Sequence, residues 1–133
     1  GGIVYLPHPY APGKGGSGAL ADELAGRAHV VEVLNARLHR EELNRKAEAL
    51  ARRRGKLRGA GSDAHTPGEV ARAYVEVPAH ANEASLLLAA LASARIAGTT
   101  SSPLVHFAST WAKVRKALPG APSLDTWKKK GIT

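Results

Sequence analysis

The chain has 133 residues and 44% hydrophobic content, enough for one domain with a real core and not for two ordinary ones. Much of the apolar content is alanine and aromatics are only 5%, so the core is expected to be built from Ala, Val and Leu. With no cysteine, disulfide frameworks, thiolate zinc sites and cysteine nucleophiles are excluded, and 19 Lys and Arg against 11 Asp and Glu leave a net charge of +8.

The opening Gly1-Gly2-Ile3-Val4-Tyr5 enters a strand with neither a starting methionine nor a cap, and so reads like the interior of a longer domain. Ile3 to Leu6 is a short β-type run stopped by Pro7 and Pro9, and Ala11 to Gly18, with four glycines, is expected to be a loop. Leu20, Ala21, Leu24, Ala25 and Ala28 recur at helical spacing. Val30 to Leu34 is a second strand, ending at Asn35. From about Glu41 to Arg54, Leu43, Ala47, Leu50 and Ala51 form an apolar stripe opposite charged residues, which predicts a surface helix closed by Gly55.

A brief segment, with a third strand expected in it, leads into Gly61-Ser-Asp-Ala-His65. Thr66-Pro-Gly-Glu69 then has the pattern of a capping box, with Thr at the N-cap, Pro at N1 and Glu at N3, and predicts a helix. Tyr74 to Val77 is a fourth strand stopped by Pro78. Glu83 to Ala94 is nearly all Leu and Ala. Leu104, Phe107, Ala108, Trp111, Val114 and Leu118 fall at helical spacing, Pro119-Gly-Ala-Pro122 breaks that helix, and Lys128-Lys-Lys130 lies in a loose basic tail.

Strand and helix alternate through the first seventy residues, which argues for βαβ units and a mainly parallel sheet. In such sheets the functional loops leave the C-terminal ends of the strands, and His8, Asn35 and the Asp63/His65 pair all sit at such ends. Residues i and i+2 of an extended segment point the same way, so Asp63 and His65 are expected to reach one metal ion. A carboxylate with an imidazole suits zinc, manganese or iron, which act on phosphate esters by activating water, and a helix beginning near Pro67 would favour an anion beside that metal.

Each of these residues also has a plain structural reading. His8 is either a metal ligand held by its flanking prolines or a loop histidine bonded to a carbonyl. Asp63 and His65 are either ligands or turn residues. Lys14, among glycines, stands either in a phosphate-wrapping loop or in a flexible connector; the loop lacks the spacing of a P-loop. Arg37 is either a bidentate phosphate binder or a solvated or helix-pairing arginine. His29, His39 and His80 read as surface residues, and His106 as a capping or packing residue. The basic excess reads as solvated faces with a general attraction for anions rather than a nucleic-acid footprint. With no apolar run near the length of a membrane span and no visible signal peptide, a cytoplasmic protein with no membrane partner is expected.

Several of these segments together resemble the C-terminal half of a PHP-domain protein, the polymerase and histidinol phosphatase family of metal-dependent phosphoesterases. They are Gly1 to Pro9, Val31 to Arg37, Asn44 to Ala47, above all Gly61-Ser-Asp-Ala-His-Thr-Pro-Gly-Glu-Val70 with Ala73 to Val77, and Ser101 to Phe107. The resemblance runs from Gly1 to about Leu118, leaving 119–133 as a flexible basic tail. It implies a distorted seven-stranded β/α barrel, of which this chain would be a partial one with added C-terminal helices. It also implies a site of two or three divalent ions (zinc, manganese or iron), with His8, Asp63 and His65 as ligands. Lys14 and Arg37 are weaker candidates for the substrate phosphate. The family's opening His-x-His motif, a further histidine and a bridging glutamate would precede Gly1.

The expectation is therefore a C-terminal portion of a bacterial-type phosphoesterase, acting on a phosphorylated small molecule or nucleotide. It would be inactive alone, or active after joining a missing N-terminal half or self-associating. The alternative is a non-catalytic basic module that binds nucleic acid or other anions.

Overall fold

The computed structural model describes residues 2–101, with the side chain of Lys14 left aside. The helix expected around Leu104–Leu118, His106 and the basic tail lie outside the described residues. The first part of the chain is the expected pair of βαβ units. Strand β1 (Tyr5–Leu6) is followed by helix α1 (Ala21–Arg27), β2 (Val30–Asn35), α2 (Glu41–Arg53) and β3 (Leu57–Gly61). The three strands form one parallel sheet in the order β1-β2-β3.

Local chemistry explains most of the boundaries. Pro7 has no N–H for a ladder, so β1 stops at Leu6. The central β2 is rich in valine and buried along nearly its whole length, as a strand covered on both faces should be. Helix α2 buries Asn44, Ala47, Leu50 and Ala51 and sets its charged residues outward. It ends at Gly55, whose φ of +60° suits glycine. The Gly55 N–H donates to the Arg52 carbonyl (3.2 Å) and the Lys56 N–H to Ala51 (2.9 Å), the bond pair of a Schellman ending. The core gathers Leu6, Ala21, Ala25, Ala28, Val31, Val33, Leu50 and Ala51, with Tyr10 and Ile96 packed against it.

The loop Ala11–Gly18 is more ordered than a plain connector. It contains a 3₁₀ turn at Gly13–Gly15 and leads into another at Gly18–Leu20. The N–H groups of Ser17 and Gly18 both donate to the Pro9 carbonyl at 3.0 Å. Those two amides are therefore taken up within the fold and are not free to wrap a phosphate.

The second part departs from the expected pattern. The fourth strand is present as β4 (Ala73–Glu76), but it does not extend the parallel sheet. It pairs antiparallel with β5 (Arg95–Gly98), a strand not foreseen from the sequence, in a separate two-stranded sheet. Helix α3 (Ala84–Ala92) joins the two. The Ser62 hydroxyl donates to the Ala73 carbonyl (3.1 Å) and accepts from the Ala73 N–H (3.3 Å), tying the end of β3 to the start of β4. The fold is mixed α/β, and among the described residues no barrel closes. No helix among them is long and apolar enough to cross a membrane.

The helix predicted after Thr66 is also corrected. Residues Pro67–Glu69 make one 3₁₀ turn and no more. The Thr66 hydroxyl does not cap a turn amide; it donates to the Glu69 carboxylate at 2.9 Å. The Glu69 half of the capping box is present, since its carboxylate bonds back to Thr66, while Arg37 takes the other oxygen. A three-residue turn carries no useful helix dipole, and the expected anion preference at Pro67 loses its basis.

Candidate functional site

The loops leaving the parallel sheet carry His8 after β1, Asn35 and Arg37 at β2, and Asp63 and His65 after β3. Two of these residues have left-handed backbones: His8 with φ +57° and Asp63 with φ +49°. Such values are uncommon away from glycine, although Asp and His tolerate them better than most residues. At Asp63 they overturn the alternation argument, because the strand has already ended at Gly61 and the segment is a turn.

The turn nevertheless brings the pair together by another route. His65 Nδ1 lies 2.8 Å from the Asp63 carbonyl oxygen and 3.8 Å from Asp63 Oδ1. A carbonyl can only accept, so in the neutral ring the proton sits on Nδ1 and Nε2 carries the lone pair. This arrangement is common in metal-ligating histidines, where a backbone carbonyl fixes the tautomer. Asp63 and His65 are both well exposed.

Behind that turn lies a buried ion pair. Arg37 Nη1 donates to Glu69 Oε1 at 2.7 Å, with the two side chains 7% and 1% exposed. Glu69 Oε2 accepts from the His65 N–H (3.1 Å) and from the Thr66 hydroxyl (2.9 Å). Burial pushes the Glu69 carboxyl up, but the bonds from Thr66 and His65 and the Arg37 charge together hold it below the usual carboxylate range. Arg37, a candidate for substrate phosphate, is thus placed in a buried pair at the end of β2. Its N–H donates to Asn35 Oδ1 at 3.0 Å, and Asn35 is held to α2 by two bonds with the Asn44 amide.

Glu32 is the residue that sequence reasoning passed over. It lies in the middle of β2, 5% exposed, with Oε2 accepting from the Asn35 amide (3.0 Å) and Oε1 3.4 Å from the Tyr5 hydroxyl. Burial raises its carboxyl above the usual range, Asn35, His8 and Tyr5 oppose the rise, and the Asp63 charge adds to it. The Tyr5 hydroxyl is pushed well up, by burial first and then by the Glu32 charge, although two-fifths of the residue meets solvent (40%). One signal was available: a glutamate inside the apolar run Val30-Val-Glu-Val-Leu34 needs a reason to be there.

The chemistry of the donors fits a divalent ion in part. His8 Nδ1 is buried without a hydrogen-bond partner, and the pairing of His65 leaves Nε2 as a donor. Yet among the described residues no three His, Asp or Glu side chains are arranged to hold one ion. The structure joins Asp63 to His65, while His8 is brought near Glu32 rather than into a three-ligand set. The other described histidines make contacts with the backbone. His29 Nδ1 accepts from the Val4 N–H (2.9 Å), His39 Nδ1 lies 2.9 Å from the Ser101 carbonyl, and His80 Nδ1 lies 2.9 Å from that of Ala81.

One family model matches the middle of the chain. Residues 41–96 match the family model described as PHP-associated, a stretch that runs from α2 into β5 and contains Asp63, His65 and Glu69. That match supports a PHP-domain C-terminal region over those residues. It is also 38% identical over 81 residues to a protein of Methanocaldococcus jannaschii that bears the name "Uncharacterized protein MJ0417". That similarity covers 57% of this chain and 34% of the relative, so it spans about a third of the relative's length. No solved structure matches the chain.

Proposed function

We propose that the chain is part of a metal-dependent phosphoesterase, with the described residues forming a portion of a PHP-type barrel. The observation that carries this reading is the Asp63–His65 turn, in which a backbone carbonyl fixes the imidazole with Nε2 left as a donor, inside the PHP-associated region. His8, Asp63 and His65 would hold zinc, manganese or iron. Such an ion lowers the pKa of a bound water and neutralises phosphoryl oxygens. The chain's own share is to present one carboxylate and two imidazoles at loops leaving one sheet. Hydrolysis would need more ligands than these three, since they form no complete set among the described residues.

Metal analysis of the purified full-length protein tests this. Bound zinc, manganese or iron, lost in Asp63→Ala while the fold persists, supports the reading. Protein that takes up none of the three ions would sink it. Hydrolysis of a generic phosphomonoester and phosphodiester with added manganese then tells which ester class is cleaved.

A second reading, a basic surface for nucleic acid, has one specific observation behind it. Two carboxylates on α1 and α2 hold four arginines: Glu48 pairs with Arg52 (3.5 Å) and Arg58 (3.2 Å), and Asp22 pairs with Arg53 (2.6 Å) and Arg54. Each paired guanidinium keeps further donors for phosphate, and Arg52 and Arg53, with Arg45, line an open cleft of about 370 Å³. Salt-dependent binding of a labelled single-stranded oligonucleotide, lost in Arg52→Glu/Arg53→Glu, would support this reading.

A further inference from the structure

We propose that Glu69 and Arg37 are positioning residues that hold the Asp63–His65 turn in place for its metal. This rests on the phosphoesterase reading above and adds to it two residues that never touch the ion.

The carboxylate of Glu69 is divided between two parts of the molecule. One oxygen takes Arg37 Nη1 from the end of β2, and the other takes the His65 N–H and the Thr66 hydroxyl from the turn itself. The turn therefore hangs from β2 through one side chain. Arg37 is fixed in its own right: its N–H is bound by Asn35 Oδ1, and the Asn35 backbone is bound on both sides by Asn44 of α2. A chain of hydrogen bonds thus leads from a long helix to the backbone of the candidate ligand.

The segment from Ser62 to Arg72 needs such a hold. It contains no strand or α-helix, only one 3₁₀ turn, and two of its residues, Asp63 (φ +49°) and Ala71 (φ +61°), have left-handed backbones. Conformations of that kind persist where the surroundings over-determine them. Packing alone does not account for the pair, because apolar residues fill a buried site as well as an ion pair does, and often better. What apolar residues cannot do is accept the His65 N–H. A partner that orients a ligand is typically worth about ten- to hundredfold in metal affinity. Arg37 accordingly acts on the site through Glu69.

The test uses the full-length protein with cobalt as the probe ion, and compares Glu69→Gln with the paired apolar variant Arg37→Met/Glu69→Leu. Thermal melting reports the fold, cobalt titration the affinity, and hydrogen exchange at the His65 amide the hold on the turn. The expected result is that the double variant melts near the wild type while cobalt binds about ten- to hundredfold more weakly and the His65 amide loses protection. A double variant that folds, protects the His65 amide and binds cobalt like the wild type overturns the proposal. If the wild type binds no cobalt, zinc or manganese, the phosphoesterase reading falls. The exchange at His65 then still decides whether Glu69 holds the turn.

Discussion

The carboxylate of Glu32 fills the space that a side chain at position 61 would need. A Cβ built on Gly61 would fall inside contact distance of Glu32 Oε1, and one on Gly59 would strike the Tyr5 ring. Two glycines spaced by two along β3 therefore leave one face of the strand bare for Tyr5 and Glu32. This explains why so poor a β-former as Leu57-Arg-Gly-Ala-Gly61 pairs with β2.

Gly61→Ala should accordingly destabilise the protein by about 1–3 kcal/mol, the usual range for overpacking. A free glutamate would swing aside, but Glu32 is buried and anchored by Asn35, so the clash is not relieved cheaply. Urea denaturation measures the loss. Adding Glu32→Ala to Gly61→Ala should recover part of it, and a double variant no better than the sum of the two single losses would contradict the contact.

The pH dependence of Glu32 follows from its raised native value. A carboxyl raised in the fold contributes stability that is full below the ordinary value of 4.5 and is lost as pH rises through the native value. Wild type should therefore gain stability over Glu32→Gln as pH falls from neutral toward 4.5. Unfolding free energies of both proteins across that window check the sign.

Glu69 should behave in the opposite sense. Its native value is lowered, so its contribution is full above 4.5 and is lost as pH falls through the lowered value. Acid unfolding of the wild type should be steeper below 4.5 than that of Glu69→Gln, which has no carboxylate to protonate there. Circular dichroism during acid titration reads both curves.

Leu50 is fully buried on α2 against the central strand, among residues too small to close around a gap. Leu50→Ala should cost about 2–5 kcal/mol. Because Ala47, Ala51, Ala21 and Ala25 surround the core with short side chains, relaxation is limited and the upper part of that range is expected. Equilibrium denaturation with the slope held in common with the wild type gives the value.

Much of the fold was legible because it depends on local patterns. Prolines 7 and 9 stop β1, the apolar period defines α1 and α2, Gly55 closes α2, and the valines of β2 mark a buried strand. The placing of His8, Asn35, Asp63 and His65 at the ends of parallel strands follows from that alternation. Asp63 and His65 were expected to point the same way from an extended segment, whereas a left-handed backbone at Asp63 sets the His65 ring against the Asp63 carbonyl.

What the chain alone determined, then, is the succession of elements and the types of residue delivered to the ends of the parallel strands, since periodicity and breakers act within a few residues. What only the tertiary structure decided is which distant groups meet. Glu69 was readable as a partner of Thr66, three residues away, and bonds there, yet its other carboxylate oxygen lies against Arg37, 32 positions away. Strand β4 was readable as a strand, yet its partner is β5 in a second sheet rather than the parallel one. Buried charge and strand pairing are settled by whatever partner the folded chain brings within reach. A local pattern says nothing about residues that approach from elsewhere.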